Sequence, residues 1–464
     1  IDKRRVAILT LRKEQPEAAW KLIISLLPNQ QQVSTGSYKP IWRKIIPEDW
    51  TKGVKQDEYW KQVTLYTDII VDMATHSIDR LIELVSQLDN LPQPSFDKAL
   101  NLLSSNAVTD IPECERVKLW EQLTKLISKH KRFVNAKWAL SPDIVAKLEI
   151  IAQTIAPANL LNLYRELFNG RDYELYGEGT NWREQQIQID ERRTIAIKEI
   201  LASVGIDEVI KYAESVEHPY ALGYSLASIA NAEVDSIVLP SILNGNSSTD
   251  DQFIRGFIIS RFNYQGWSWV DQVDITGWPY SLIGKFLACL PFIIETWKRT
   301  ERVLGENENE YWTIVNVNPY QSDNQLVFAV EKLLIYDRPN AAISCLDALI
   351  HENQPFETKL AVQALLSSLT SSEPNNSMNT YHIIEVIKSL QNNSDIDPND
   401  LFRIEWLYLP LLDKEHDVSS KLLEYRLASD PDFFCDIIRL LYRSTREINI
   451  NREGNENDKA MARN

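Results

Sequence analysis

Residues 205–230 read GIDEVIKYAESVEHPYALGYSLASIA. Ile206, Val209, Ile210 and Ala213 fall at i, i+3, i+4 and i+7, which places them on one helix face. His218-Pro219 then interrupts the pattern, because proline pushes the residue before it out of the helical region. A second stripe follows at Leu222, Leu226 and Ile229. Two helices joined by so short a link are expected to pack antiparallel.

The same design recurs downstream. Leu326, Ala329, Val330 and Leu333 form one stripe, and Pro339 suits the first turn of the next helix, where its missing N–H costs nothing. That helix turns Ala342, Leu346, Leu349 and Ile350 inward. Pro355, Pro398 and Pro431 stand at similar starts, with Asp397 and Asp430 before two of them as N-caps. Phe434, Ile437, Ile438 and Leu441 repeat the spacing. The expectation is an all-α fold: an irregular α-solenoid of antiparallel helix pairs, a superhelix of the tetratricopeptide or HEAT kind, with at most a few short strands. A strict 34-residue period and its tryptophan signature are absent, so the repeat is degenerate. An irregular helical domain obeying the same packing rules is the alternative.

Composition agrees. The 464 residues are 44% apolar and 25% charged, as in a globular protein. Only 14 are glycine, against a usual share of about 7%. Folds that depend on glycine-rich loops are therefore disfavoured. The net charge of −16 disfavours broad electrostatic capture of nucleic acid. No run of apolar residues is long enough for a membrane helix. Cys114, Cys289, Cys345 and Cys435 lack CxxC spacing and read as reduced core residues of a cytoplasmic protein. A start at Ile1 without a charged, apolar leader, and a polar end, suggest a piece of a longer polypeptide.

The stripes divide the chain into an N-terminal helical subdomain (1–170) with a long loop at 28–54, central helical pairs (183–300), a repeat-like subdomain (324–445) and a flexible tail (449–464). Residues 263–280 and 305–323 are aromatic, acidic and poor in helix signals. Thr313 to Val317 alternates as a short strand would.

Motifs that could carry chemistry mostly fail. Gly284-Lys285 resembles the end of a phosphate loop, but position 279 is Pro where that loop needs Gly, and Phe286 stands where Ser or Thr is needed. Residues 223–227, Gly-Tyr-Ser-Leu-Ala, resemble a nucleophile elbow, yet they lie inside an amphipathic helix. There a small residue serves to let two helices approach. The six histidines include no pair at metal-binding spacing. No catalytic, cofactor or metal residue is expected.

Basic and aromatic residues interleave between Tyr38 and Lys61, and Tyr38, Lys39, Trp42, Arg43 and Trp50 are the candidates there for contact with a partner. Trp267, Trp269 and Trp278 are the candidates in the second aromatic stretch. In the competing reading Trp42 and Arg43 anchor the loop against the first helices. Lys125, Lys129, Lys131, Arg132 and Lys137 form a basic run with no acid between them, most simply a solvated helix face and its following turn.

Several packing segments resemble a family of large bacterial proteins. They are Pro16-Glu17-Ala18-Ala19-Trp20-Lys21-Leu22 with Leu26-Leu27-Pro28, and Tyr38-Lys39-Pro40-Ile41-Trp42-Arg43. Further on come Glu331-Lys332-Leu333-Leu334 with Asp337-Arg338-Pro339, Ile404-Glu405-Trp406-Leu407-Tyr408-Leu409-Pro410-Leu411-Leu412, and Asp430-Pro431-Asp432-Phe433-Phe434. These resemble the helical C-terminal sensor region of antiviral STAND-type or sirtuin-linked defence proteins. The resemblance implies a non-enzymatic region that binds a protein ligand, such as a phage protein, or other domains of its own polypeptide, and releases an effector that lies elsewhere. A structural oligomerisation scaffold, or a nucleic-acid-binding helical domain, is the alternative.

Overall fold

The computed structural model describes residues 2–28, 55–170, 181–245, 247–322, 325–374, 378–412 and 419–441. Among these the fold is all-helical and contains no strand. No described helix is long and apolar enough to cross a membrane. The chain forms two compact units. Unit 1 comprises residues 1–231 and 248–257, and unit 2 comprises 232–247 and 258–464.

In unit 1, the first helices bury Trp20, Ile23, Ile70, Leu84, Phe96 and Leu123 in one core. Helix Ile78–Ser86 packs on Glu113–Arg132, which packs on Pro142–Thr154. The stretch quoted at the outset forms helices where its stripes predict. Ile206–Tyr212 ends in a short 3-10 turn, and Pro219–Ile229 follows with Leu222 and Leu226 buried. The two do not pair with each other as expected: both pack mainly on Trp182–Val204. Gly223 is a point of close approach. A Cβ there would lie 2.9 Å from the carbonyl carbon of Phe253 and nearer still to its oxygen. Gly256 faces back across the same crossing, where a Cβ would lie 3.0 Å from the carbonyl carbon of Tyr220. The elbow-like sequence is thus a helix-crossing glycine.

In unit 2, helix Leu326–Ile335 packs on Pro339–His351, which packs on Thr358–Ser368 and Asn379–Gln391. Proline-led starts recur at Pro339, Pro398 and Pro431. Asp397 caps its helix by accepting from the Asn399 amide at 2.7 Å, and Asp430 accepts from Phe433 at 3.1 Å. After Pro355 the helix begins only at Thr358. Glu405 is fully buried and accepts from Gln391 Nε2 at 2.7 Å and from the Leu422 and Leu423 amides at 2.9 Å each. Those two donors open the helix Lys421–Ser429, so the carboxylate also meets the positive end of its dipole. Of the four cysteines expected in the core, only Cys345 is completely buried, within Pro339–His351, and burial pushes its thiol up; Cys114 and Cys435 are exposed and Cys289 is half-buried.

Two further sequence expectations are corrected. Thr313–Val317 is not a strand. Its amides continue the winding of the preceding helix, Thr313 donating to Asn309 at 3.1 Å and Val315 to Tyr311 at 2.9 Å. The carbonyls of Trp312, Thr313 and Val315 accept from Arg338 Nη1 at 3.2 Å each, a side-chain partner in place of a neighbouring strand. The second correction concerns the first half of 263–280: Ser248–Val270 is two helical segments that meet at a kink at Gly266, whose φ is 60° and ψ −150°, and only the residues after Val270 form a loop before Tyr280. The Asp271 amide still reaches the Trp267 carbonyl at 2.9 Å beyond that kink. Gly305–Asn307, Asn309–Trp312 and Pro319–Gln321 are short helical turns, and the second of them delivers Tyr311 and Trp312 to the core. Trp297 and Trp312 are 6.0 Å apart, centroid to centroid, and each is 1% exposed. Phe292 and Phe328 complete that cluster.

Candidate functional site

The basic run noted in the sequence, apart from Lys137, lines a cleft of about 1000 Å3 in unit 1. Helix Glu113–Arg132 opens with Glu113 and Glu115 and ends with Lys129, His130, Lys131 and Arg132. This charge order complements the helix dipole, so the cations collect at one end. Trp120, Leu123, Ile127 and His130 turn into the core. Lys125, Ser128, Lys129 and Arg132, at i, i+3, i+4 and i+7, share another face and line the cleft. Helix Pro142–Thr154 adds Glu149, Ala152 and Gln153, and helix Trp182–Val204 adds Arg192 and Ile195 one turn apart. Leu163, Tyr164, Glu166 and Leu167 supply the remaining wall.

That wall is fastened by polar contacts from both sides. Arg193 Nε donates to the Leu167 carbonyl at 2.8 Å, and Tyr212 donates its hydroxyl to the Leu161 carbonyl at 2.7 Å. The His218 amide donates to the Phe168 carbonyl at 2.9 Å. Tyr164 donates to Glu199 at 2.5 Å, a bond that helps to push its hydroxyl up to about 12.

The cationic rim is held as well. Lys129 Nζ lies 2.7 Å from Asp89 and 5.0 Å from the Trp138 ring centroid. His130 accepts the Leu140 amide on Nδ1 at 3.1 Å, which leaves its proton on Nε2, 3.4 Å from Asp89. Burial alone raises the Asp89 carboxyl, but the bonds from His130 and Lys129 outweigh it and hold the group below its ordinary value. Lys125 pairs with Glu166 at 3.5 Å and Lys131 with Glu149 at 2.6 Å. Desolvation, with the adjacent Arg193 charge, lowers the Arg192 guanidinium. Five cations therefore line the cleft, three of them paired with Glu166, Asp89 and Glu149, on a chain of net charge −16.

The chain matches no known family model, no curated protein and no solved structure.

Tyr38, Lys39, Trp42, Arg43 and Trp50 lie outside the described residues, as do the proposed anchoring of the first loop and the tail at 449–464. The later tryptophans all make contacts within unit 2. Trp269 is 3% exposed, and its Nε1 donates to Asp235 at 3.0 Å. Trp267 is half-buried beneath Arg299, whose guanidinium carbon is 4.0 Å from the ring centroid. Trp278 is half-buried against Phe286. Gly284 sits mid-helix, where a Cβ would meet the Glu310 carbonyl carbon at 2.6 Å. Lys285 donates to the carbonyls of Leu243 at 3.2 Å and Gly245 at 3.1 Å, closing the end of helix Ala232–Leu243.

Sequence reading missed one cluster in unit 2. Asp347, 1% exposed, receives His382 Nδ1 at 2.7 Å and lies 3.3 Å from His351 Nδ1. His351 Nε2 is 3.2 Å from the Tyr381 hydroxyl. Among the described residues no group of three or more His, Cys, Asp or Glu could hold a metal ion. The bond from His351 to the Asp347 carbonyl, and the Asp347 charge, raise the His351 imidazole above its ordinary 6.5. The stabilisation from this contact is complete below pH 6.5 and is lost as pH rises through the raised value. Proton NMR of the imidazoles should show His351 titrating above 6.5, and Asp347→Asn should bring it down; an unchanged titration would count against the contact.

Proposed function

We propose that this chain is a non-enzymatic, protein-binding sensor or scaffold region of a larger bacterial protein, acting in antiphage defence. The observation that carries the binding role is the cleft, which combines apolar walls with a cationic rim on an otherwise acidic chain. Helices that pack mainly on their sequence neighbours support a solenoid-like arrangement, which exposes surface suited to a macromolecular ligand. The non-enzymatic reading is supported by the fate of the motif-like segments. Gly223 and Gly284 serve helix packing, and Lys285 closes a helix end. A sensor transmits only if its ligand prefers one arrangement of the protein over another.

The test is made on the parent protein, expressed in bacteria challenged with phage. Wild type should protect, and a phage protein should crosslink to this region. Lys125→Glu with Lys131→Glu should abolish both. Protection that survives the charge reversal would sink the cleft as the sensing site, and a parent that never protects would sink the defence role.

A further inference from the structure

We propose that the cleft in unit 1 seats an acidic segment of a partner protein, one with carboxylates on either side of an apolar side chain. The inference rests on the protein-binding reading and names its ligand. The cleft has two chemical zones. Its inner walls include Ile127, Ala152, Leu163 and Leu167, which offer no hydrogen bond from their side chains and suit an aliphatic or aromatic group. Its rim carries cations from two helices, Lys125 to Arg132 on one and Arg192 on the other.

Cations drawn from two helices match several carboxylates spread along a segment better than the single headgroup of a fatty acid. Lys125 and Lys131 are more than half exposed, at 52% and 53%, and their bonds to Glu166 and Glu149 are screened by solvent. An incoming carboxylate can therefore replace Glu166 or Glu149 at little cost. Nucleic acid fits less well. Single strands bind where bases stack on open aromatic faces. Of the lining aromatics, Trp120 is only 8% exposed, and Tyr164 has its hydroxyl committed to Glu199.

The experiment measures fluorescence anisotropy with the full chain and a short fluorescein-labelled peptide of alternating glutamate and leucine. Its glutamine-for-glutamate counterpart, oleate and a thymidine oligonucleotide are the other arms. The acidic peptide should bind, its affinity should fall as salt rises, and the glutamine peptide should bind about tenfold more weakly or worse. Lys125→Glu with Lys131→Glu should weaken binding by at least a similar factor. Ile195→Ser should weaken it several-fold; Ile195 is 57% exposed, so the fold should survive, as circular dichroism would verify. Tighter binding of oleate or the oligonucleotide overturns the proposal, as does unchanged binding by both variants. If the peptide fails while charge reversal still abolishes phage protection by the parent, the ligand class is wrong and the binding role stands. If protection also survives, the binding role at this cleft fails.

Discussion

Gly223→Ala is expected to destabilise unit 1 by about 2 kcal/mol, although alanine is the better helix former by about 1 kcal/mol. The new methyl would meet backbone, the carbonyl group of Phe253, so no rotamer change can relieve the overlap. The two helices must separate, and overpacking of this kind costs roughly 1–3 kcal/mol, occasionally more. The helix Ser248–Val270 buries Phe253, Ile254 and Phe257 near the crossing, so separation loosens those contacts too. Gly256→Ala should behave alike, because its Cβ would meet the Tyr220 carbonyl. The double variant should cost less than the sum of the two, since the first substitution has already moved the helices apart. Urea unfolding followed by circular dichroism measures all three. A gain in stability from either single change would mean that the helices do not cross in contact.

The second large effect is expected at the ion pair buried beneath Trp269. Asp235 and Arg261 meet at 2.5 Å and are 7% and 4% exposed. Asp235→Ala leaves the guanidinium buried without its carboxylate, a change that typically costs about 3–5 kcal/mol. It also deprives the Trp269 indole of its acceptor at 3.0 Å. Asp235→Ala combined with Arg261→Met should recover much of the loss, because a pair removed whole leaves no buried charge. Recovery should stay incomplete by about 1–3 kcal/mol, the cost of a buried donor left unmade. The readout is a double-mutant cycle on the unfolding midpoint of unit 2. If the double variant is no more stable than Asp235→Ala, the pair is not the source of the loss.

The helices were most legible where two independent signals coincide. At Asp397-Pro398 and Asp430-Pro431 a capping carboxylate and a proline together mark the start, although Phe434 and Ile438 of the stripe after Pro431 are exposed. Legibility falls where a single signal stands alone. Alternation at Thr313–Val317 resembled a strand, but what decides such a segment is where its amides and carbonyls find partners. Two of those carbonyls, with that of Trp312 just before them, accept from Arg338, more than twenty residues on. Tryptophan-containing stretches read as loops because aromatic residues and glycine weaken helix propensity, whereas burial of Trp269 and Trp312 repays that weakness. The cleft was half visible. Lys125 to Arg132 lie in one run, but Glu149, Arg192 and Ile195 arrive from other helices with no local pattern to link them. Asp347 and His382 likewise meet across 35 residues, and neither has a motif around it.

The burial of Cys345 gives unit 2 an internal clock. A thiol reacts as its thiolate, and burial raises this one far above the ordinary range, so the closed protein shields it twice, by access and by charge. Alkylation at Cys345 can then proceed only through molecules in which the helix Pro339–His351 has opened. With Cys114, Cys289 and Cys435 replaced by serine, the labelling rate relative to that of an exposed thiol would report how often this core opens under native conditions. The same rate, followed while ligand is titrated, would reveal whether occupancy of unit 1 is felt in unit 2.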